Sequence, residues 1–405
     1  MLAARRITSR RIIHLLGPAF VAAVAYVDPG NFAANFSAGA QHGYLLLWVL
    51  VVANGMAMVV QYLSARLGIV TGKSLPELLG ERLIGKWRFM YWLQAESVAI
   101  ATDIAEVVGG ALALYLLFGI PLPLGGVLTG MVSMLLLLLY TRREQVLFER
   151  IIIGMLLLLP LGFFVGLAQH PPAISDMVSG LVPQLAGRDT VLLAVAMLGA
   201  TVMPHVVYLH SALSRDRFLG RHKRAIPELL RATRVDIVVA LAFAGVVNIS
   251  MLLFAASSLQ GAPSGTLEQI YHSIQQIAGG GIATLFALGL LLSGFASTAV
   301  GSQAGAAIMS GLYDKNLSLF VRRLITILPA LGLLLIEADP TVTLLISQAA
   351  LSFGIPFALI PLLLLTRSRQ VMGSHVNAPW LSRAAMVIVA LCVVLNAALL
   401  VMMTT

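Results

Sequence analysis

One cysteine and very little charge set the first bounds on this 405-residue chain. A lone thiol, Cys392, excludes both a disulfide framework and a thiolate metal cluster. Its place in the last apolar run makes it filler, facing lipid or a neighbouring helix. Charged residues form 11% of the chain, against about 25% in a soluble domain. The net charge of +9 does not make a nucleic-acid surface, because the basic residues sit in short loops between apolar runs rather than on one patch. An HExxH zinc motif is missing, as is a nucleophile–base pair, so an intramembrane enzyme is excluded and no resident cofactor is expected.

What the chain has instead is apolar length. Hydrophobic residues make up 59% and mean hydropathy is +0.94, enough for roughly ten to twelve spans of about 20 residues with no sizeable soluble domain left over. Eleven apolar segments are predicted, at 12–40, 44–70, 89–118, 121–140, 151–169, 190–213, 235–257, 281–310, 320–337, 341–366 and 384–403. The first follows a basic N-terminus in signal-peptide order. It is too long for one and lacks a cleavage site, so it is expected to be retained.

Lys and Arg set the orientation. With the N-terminus inside, the inner loops hold Arg5, Arg6, Arg10 and Arg11, then Lys73, Arg82, Lys86 and Arg88, then Arg142, Arg143 and Arg150. They continue with Arg215, Arg217, Arg221, Lys223, Arg224, Arg231 and Arg234, then Lys315, Arg322 and Arg323, and end with Arg367, Arg369 and Arg383. That is 24 of 26 basic residues on one side. Arg66 lies near an inner helix end, and Arg188 alone falls outside. The bias predicts a cytoplasmic N-terminus and an outer C-terminus.

Two of the segments are interrupted. Asp28-Pro29-Gly30-Asn31 breaks the first, since proline removes a donor and clashes with the preceding turn while glycine exposes the backbone. Alone, this could be a kink with two paired polar residues. A second break, at Ala200-Thr201-Val202-Met203-Pro204-His205, changes the reading. Paired broken helices in corresponding positions of two halves mark the midplane site of a secondary transporter. Segments one to five and six to ten each open on a break, and five is odd, so the second unit enters from the opposite side. Inverted repeats at about 11–170 and 188–368 are expected, with an extra helix at about 384–404.

Of the 17 acidic residues, only Asp28, Glu96, Asp103 and Glu106 lie well inside apolar segments. The last three share the third segment, and spacings of seven and three place them on one helical face. Such a stripe either relays protons or pairs with Arg322 and Arg323 for structure; the relay is favoured, and both can hold together. His205 and His210, five apart, face different directions; a proton or conformational role suits them better than coordination. Met203 directly precedes the breaking proline. Its soft thioether beside the hard oxygens of Asp28 and Asn31 suits Mn²⁺, Fe²⁺ or Cd²⁺ and suits Mg²⁺ and Ca²⁺ poorly. Gln348, a midspan amide, either completes coordination or bonds between helices.

Asp28-Pro29-Gly30-Asn31, Met203-Pro204-His205 and Asp103-x-x-Glu106, in this order, resemble the Nramp family of proton-coupled divalent transition-metal transporters. The likeness extends to Gly17-Pro18-Ala19-Phe20, Thr71-Gly72-Lys73, Ser347-Gln348 and Leu351-Ser352-Phe353-Gly354, and the eleven-segment form resembles the bacterial manganese-uptake branch. The resemblance implies an all-α, LeuT-like fold. It implies metal ligands at Asp28, Asn31, Met203, Gln348 and the carbonyls of Ala25 and Ala200. It also implies a proton path through His205, Asp103 and Glu106, with Glu96 and Arg322 or Arg323 further along. The expected protein is thus a Mn²⁺ importer driven by H⁺ symport in a bacterial inner membrane, with metal and protons as cargo, lipid as surroundings and no obligatory protein partner. The runner-up is a Na⁺-coupled symporter of small organic solutes, weakened by Asp28, which repels an anionic substrate.

Overall fold

A computed structural model describes residues 17–141, 145–218, 226–313 and 318–404. The start of the first segment and repeat, and Arg5, Arg6, Arg10, Arg11, Arg142, Arg143, Arg221, Lys223, Arg224 and Lys315, lie outside the described residues. The described elements are helices, with no strand among them. The first apolar segment becomes α1 (Pro18–Ala25) and α2 (Pro29–His42). Then follow α3 (Leu47–Thr71), the short α4 (Leu75–Gly80), α5 (Lys86–Phe118), α6 (Leu122–Thr141), α7 (Gln145–Leu158), α8 (Leu161–Gln169) and α9 (Ile174–Ser179). The sixth segment divides into α10 (Arg188–Thr201) and α11 (Pro204–Phe218). The remainder is α12 (Ile226–Ser258), α13 (Leu267–Ile277), α14 (Gly280–Tyr313), α15 (Leu319–Leu335), α16 (Pro340–Arg367), α17 (Arg369–Met372) and α18 (Pro379–Thr404).

Among the described residues eight helical stretches are long and apolar enough to cross a membrane. The first segment is divided at its break, the fourth gives the 20-residue α6 and the ninth the 17-residue α15. Hydropathy did not show α4, α9 or α13, which connect spans. It also placed the seventh segment nine residues late, because α12 begins with the charged turns of Glu228, Arg231 and Arg234. The α4 start carries a capping box, in which Ser74 accepts from the Glu77 amide and Glu77 accepts from the Ser74 amide. Burial raises the Glu77 carboxyl, but hydrogen bonds from Ser74 and Arg215 outweigh it and leave its pKa below the ordinary value.

Polar groups and packing are arranged inside out. Leu135, Leu328, Ile346 and Val394 are exposed around the bundle, and Trp87 and Trp380 are exposed at helix starts on the basic side, as an aromatic belt requires. The broken pair α10–α11 is central, with 94% of its apolar window buried, while α18 is peripheral at 28%. Small residues let the central helices meet backbone to backbone. On α14, a Cβ at Gly294 would lie 3.1 Å from the Gly110 amide of α5, and one at Gly199 of α10 would run into the Gln348 carbonyl of α16. The extra helix α18 is tied to α16 by a reciprocal pair, Ser352 Oγ to Asn396 Oδ1 at 2.7 Å and Asn396 Nδ2 to the Ser352 carbonyl at 3.0 Å. Cys392 is buried.

Candidate metal centre

Each break begins with a proline that cannot donate. In an α-helix the amide of residue i+4 satisfies the carbonyl of residue i. Pro29 therefore leaves the Ala25 carbonyl without its helical partner, and Pro204 leaves that of Ala200 without one. The two alanines named by resemblance are the residues that proline chemistry singles out. The chain closes the gap below Pro29 with tighter turns, Tyr26 N–H to Ala23 O and Val27 N–H to Val24 O, both 3.1 Å. Other helices satisfy the next carbonyls. Asn248 Nδ2 of α12 donates to Tyr26 O at 2.7 Å, and Ser293 Oγ of α14 donates to Val27 O at 2.6 Å. Asp28 is extended and caps α2, accepting the Asn31 amide at 2.8 Å.

Around this cap the expected ligands gather. Asn31 Nδ2 donates to Asp28 Oδ1 at 2.7 Å and to the freed Ala200 carbonyl at 3.1 Å, linking the two breaks. Gln348 Nε2, from α16, donates to Asp28 Oδ2 at 2.8 Å. Gly30 makes room for it, since a Cβ there would overlap the Gln348 amide. Ala25 and Met203 lie in the same two breaks, and all six residues are buried. The side-chain oxygens of Asn31 and Gln348 have no hydrogen-bond partner. The amide nitrogens sit where positive charge is favoured, between a carboxylate and a carbonyl, and rotating either amide half a turn presents oxygen instead. The donor set fits a divalent cation: one carboxylate, two amides, freed carbonyls and a thioether on adjoining chain. Among the described residues no group of three or more His, Cys, Asp or Glu could hold a metal ion. A site with a single carboxylate suits a cargo that must leave again.

Beside it runs a buried polar chain. His205, at the start of α11, shares a 3.1 Å hydrogen bond through Nδ1 with Thr102 of α5, next to Asp103. Asp103 pairs with Arg323 of α15, which is also held by Ser133 of α6 at 3.1 Å. Arg322 Nη2 meets Glu96 Oε1 at 2.6 Å. Glu106 faces Gly301 of α14, where a Cβ would come within 3.0 Å of its carboxylate, and both its oxygens lack a hydrogen-bond partner. The structural pairing expected for this stripe is thus present at Glu96 and Asp103, while Glu106 stands outside those two ion pairs. His210 lies elsewhere, with Nδ1 2.7 Å from Gln61 Oε1, and Gln61 in turn donates to the Tyr26 hydroxyl.

A family model described as natural resistance-associated macrophage protein-like matches residues 19–402. The chain belongs to the Nramp family. It is 54% identical over 368 residues to the divalent metal cation transporter MntH of Mycobacterium tuberculosis strain H37Rv, covering 90% of this chain and 86% of that protein. Its fold is similar to that of the Eremococcus coleocola manganese transporter, with a TM-score of 0.87 and 29% identity over 98% of this chain and 87% of the other. The nucleobase-cation-symport-1 family transporter Mhp1 shares the fold alone, at a TM-score of 0.61 and 16% identity over 96% and 92%. The chain is thus an all-helical, multi-pass Nramp protein of LeuT-like fold, and not an enzyme.

Several residues of this Nramp site were not picked out from the sequence. Asn248 and Ser293 hold the unwound carbonyls, Thr102 holds His205, and Asp236 holds the start of α1. Asn248 carried the same signal as Gln348, an amide in the middle of an apolar run. Asp236 stands one residue inside the seventh predicted segment, at its edge.

Proposed function

We propose that this Nramp protein imports Mn²⁺, with Fe²⁺ and Cd²⁺ as further cargo, by alternating access coupled to H⁺ symport across a bacterial inner membrane. The observation that carries the reading is the junction of the two breaks, where Asn31 joins the Asp28 carboxylate to the Ala200 carbonyl. Asp28, Asn31, Gln348, Met203 and the carbonyls of Ala25 and Ala200 hold the metal. The thioether favours softer transition ions over Ca²⁺ and Mg²⁺. His205, Asp103, Glu106, Glu96, Arg322 and Arg323 carry the proton, and His210 shapes the conformational change through Gln61 and Tyr26. The metal and proton routes diverge at His205, on the next residue but one after Met203.

Residues of about 11–170 and 188–368 form two inverted repeats that rock about the site, with cytoplasmic N-terminus and outer C-terminus. No obligatory protein partner is required. An organic-anion symporter of the same fold would need the α2 N-terminus for a substrate carboxylate, but the Asp28 carboxylate already occupies it.

The test is Mn²⁺ uptake into proteoliposomes under an inward-directed proton gradient with excess Ca²⁺ or Mg²⁺. The parent should accumulate Mn²⁺ and dissipate the gradient in step. Met203→Ala should lose discrimination by about tenfold or more, about 1.4 kcal/mol, and Asp28→Ala should be inactive. Normal uptake by Asp28→Ala would overturn the site.

A further inference from the structure

The peripheral helix α18 leaves an apolar groove against α16 that the transport reading does not use. It measures about 360 Å³ and is lined by residues including Leu363, Leu364, Met386, Ala390, Val393 and Val394. Leu364 and Val394 are more than 60% exposed, so the groove opens sideways onto the bilayer rather than toward the metal centre.

Its basic end is chemically distinct. Arg367 closes α16 and places Nη1 3.7 Å from the sulfur of Met386, a groove residue. Arg383 lies one turn before Met386 on α18, and both arginines are exposed. Trp380 is exposed one turn earlier, at the depth where an interfacial aromatic belongs. Among the described residues neither arginine, nor Arg369 between the helices, makes an ion pair. No acidic residue follows Asp339 in the sequence, and among the described residues none forms an ion pair with these arginines. The chain that joins their two helices is also held in place. The connector between the two helices is clamped from α3 by Arg66, whose guanidinium donates to the carbonyls of His375 and Val376 at 2.6 and 2.8 Å and to Asn377 Oδ1 at 3.2 Å.

We infer that the α16–α18 groove is a binding site for one anionic phospholipid, its acyl chain along the apolar lining and its headgroup phosphate between Arg367 and Arg383. A hydrocarbon groove ending in unpaired guanidinium groups at the membrane surface matches that amphiphile in both shape and charge. A guanidinium fork pairs readily with phosphate oxygens. A second copy of this chain would bring its own arginines to the same corner. A zwitterionic lipid would gain less, since its headgroup cation would meet like charge. The site requires only that the helices span a bilayer, so it stands or falls separately from the identity of the transported ion.

The test uses native mass spectrometry of the full-length detergent-purified protein, titrated with dioleoylphosphatidylglycerol or dioleoylphosphatidylcholine. The parent should retain phosphatidylglycerol in preference. Arg367→Gln/Arg383→Gln should weaken retention about 30-fold, as expected for two basic residues at a membrane surface. Ala390→Phe, which fills the groove without touching charge, should weaken binding of either lipid. Arg150→Gln/Arg231→Gln, an equal charge loss elsewhere, should bind like the parent. Equal loss in that control, equal retention of the two lipids, or a lipid-independent dimer that Ala390→Phe dissociates would each overturn the assignment.

Discussion

Arg323 shows how much a single side chain does here. It is among the largest fully buried side chains, and its guanidinium reaches Asp103 and Ser133. Removing one partner from a buried pair leaves an uncompensated charge, at a cost of about 3–5 kcal/mol. Arg323→Gln should therefore lower the thermal unfolding temperature clearly. Adding Asp103→Asn to it should restore much of the loss, because the stranded charge is gone. Gly30 gives a second residue-scale prediction, this one about space. A Cβ at Gly30 overlaps the Gln348 amide, so Gly30→Ala should depress Mn²⁺ uptake while leaving the protein folded. Gly30→Ala/Gln348→Ala should then be no worse than Gln348→Ala alone, since the clash is removed with the amide.

At the scale of elements, the first half of the first broken helix depends on a partner far away in sequence. α1 has no side-chain cap of its own, and Pro18 brings no amide. The amides of Gly17 and Ala19 are instead taken by the carboxylate of Asp236 on α12, at 3.1–3.3 Å. Gly17 permits this with φ 149°, outside the range most side chains accept. Loss of such a cap costs about 0.5–2 kcal/mol. Asp236→Ala should thus raise amide exchange across Pro18–Ala25 and leave α2, capped separately by Asp28, protected. Hydrogen exchange by mass spectrometry reads both segments in one experiment. Equal exchange in the two would show that Asp236 does not hold α1.

For the whole molecule, orientation can be tested because its one thiol is out of reach. Cys392 is buried in α18, so the native chain should resist a maleimide until it is denatured. Against that background, Ser374→Cys, in the exposed connector before α18, should label only from the cytoplasmic side. Ser175→Cys, exposed in α9, should label only from outside. Labelling of both from one side would refute the arrangement drawn from Lys and Arg.

The amino-acid sequence alone determined the membrane class, the apolar segments, the two breaks and the residue types available at them. These are local consequences of hydropathy and of proline, and they do not depend on neighbours. Even the freed carbonyls of Ala25 and Ala200 follow from counting four residues back from Pro29 and Pro204. Tertiary structure decided which groups meet. Asn31 reaches Ala200 from another helix, Gln348 reaches Asp28 through the space left by Gly30, and Asn248 and Ser293 take up unwound carbonyls. It also divided the two histidines, joining His205 to Thr102 beside the carboxyl stripe and His210 to Gln61. The reason is physical: buried polar groups must find partners where water is absent, and which helix supplies the partner is fixed by packing rather than by any local pattern in the chain.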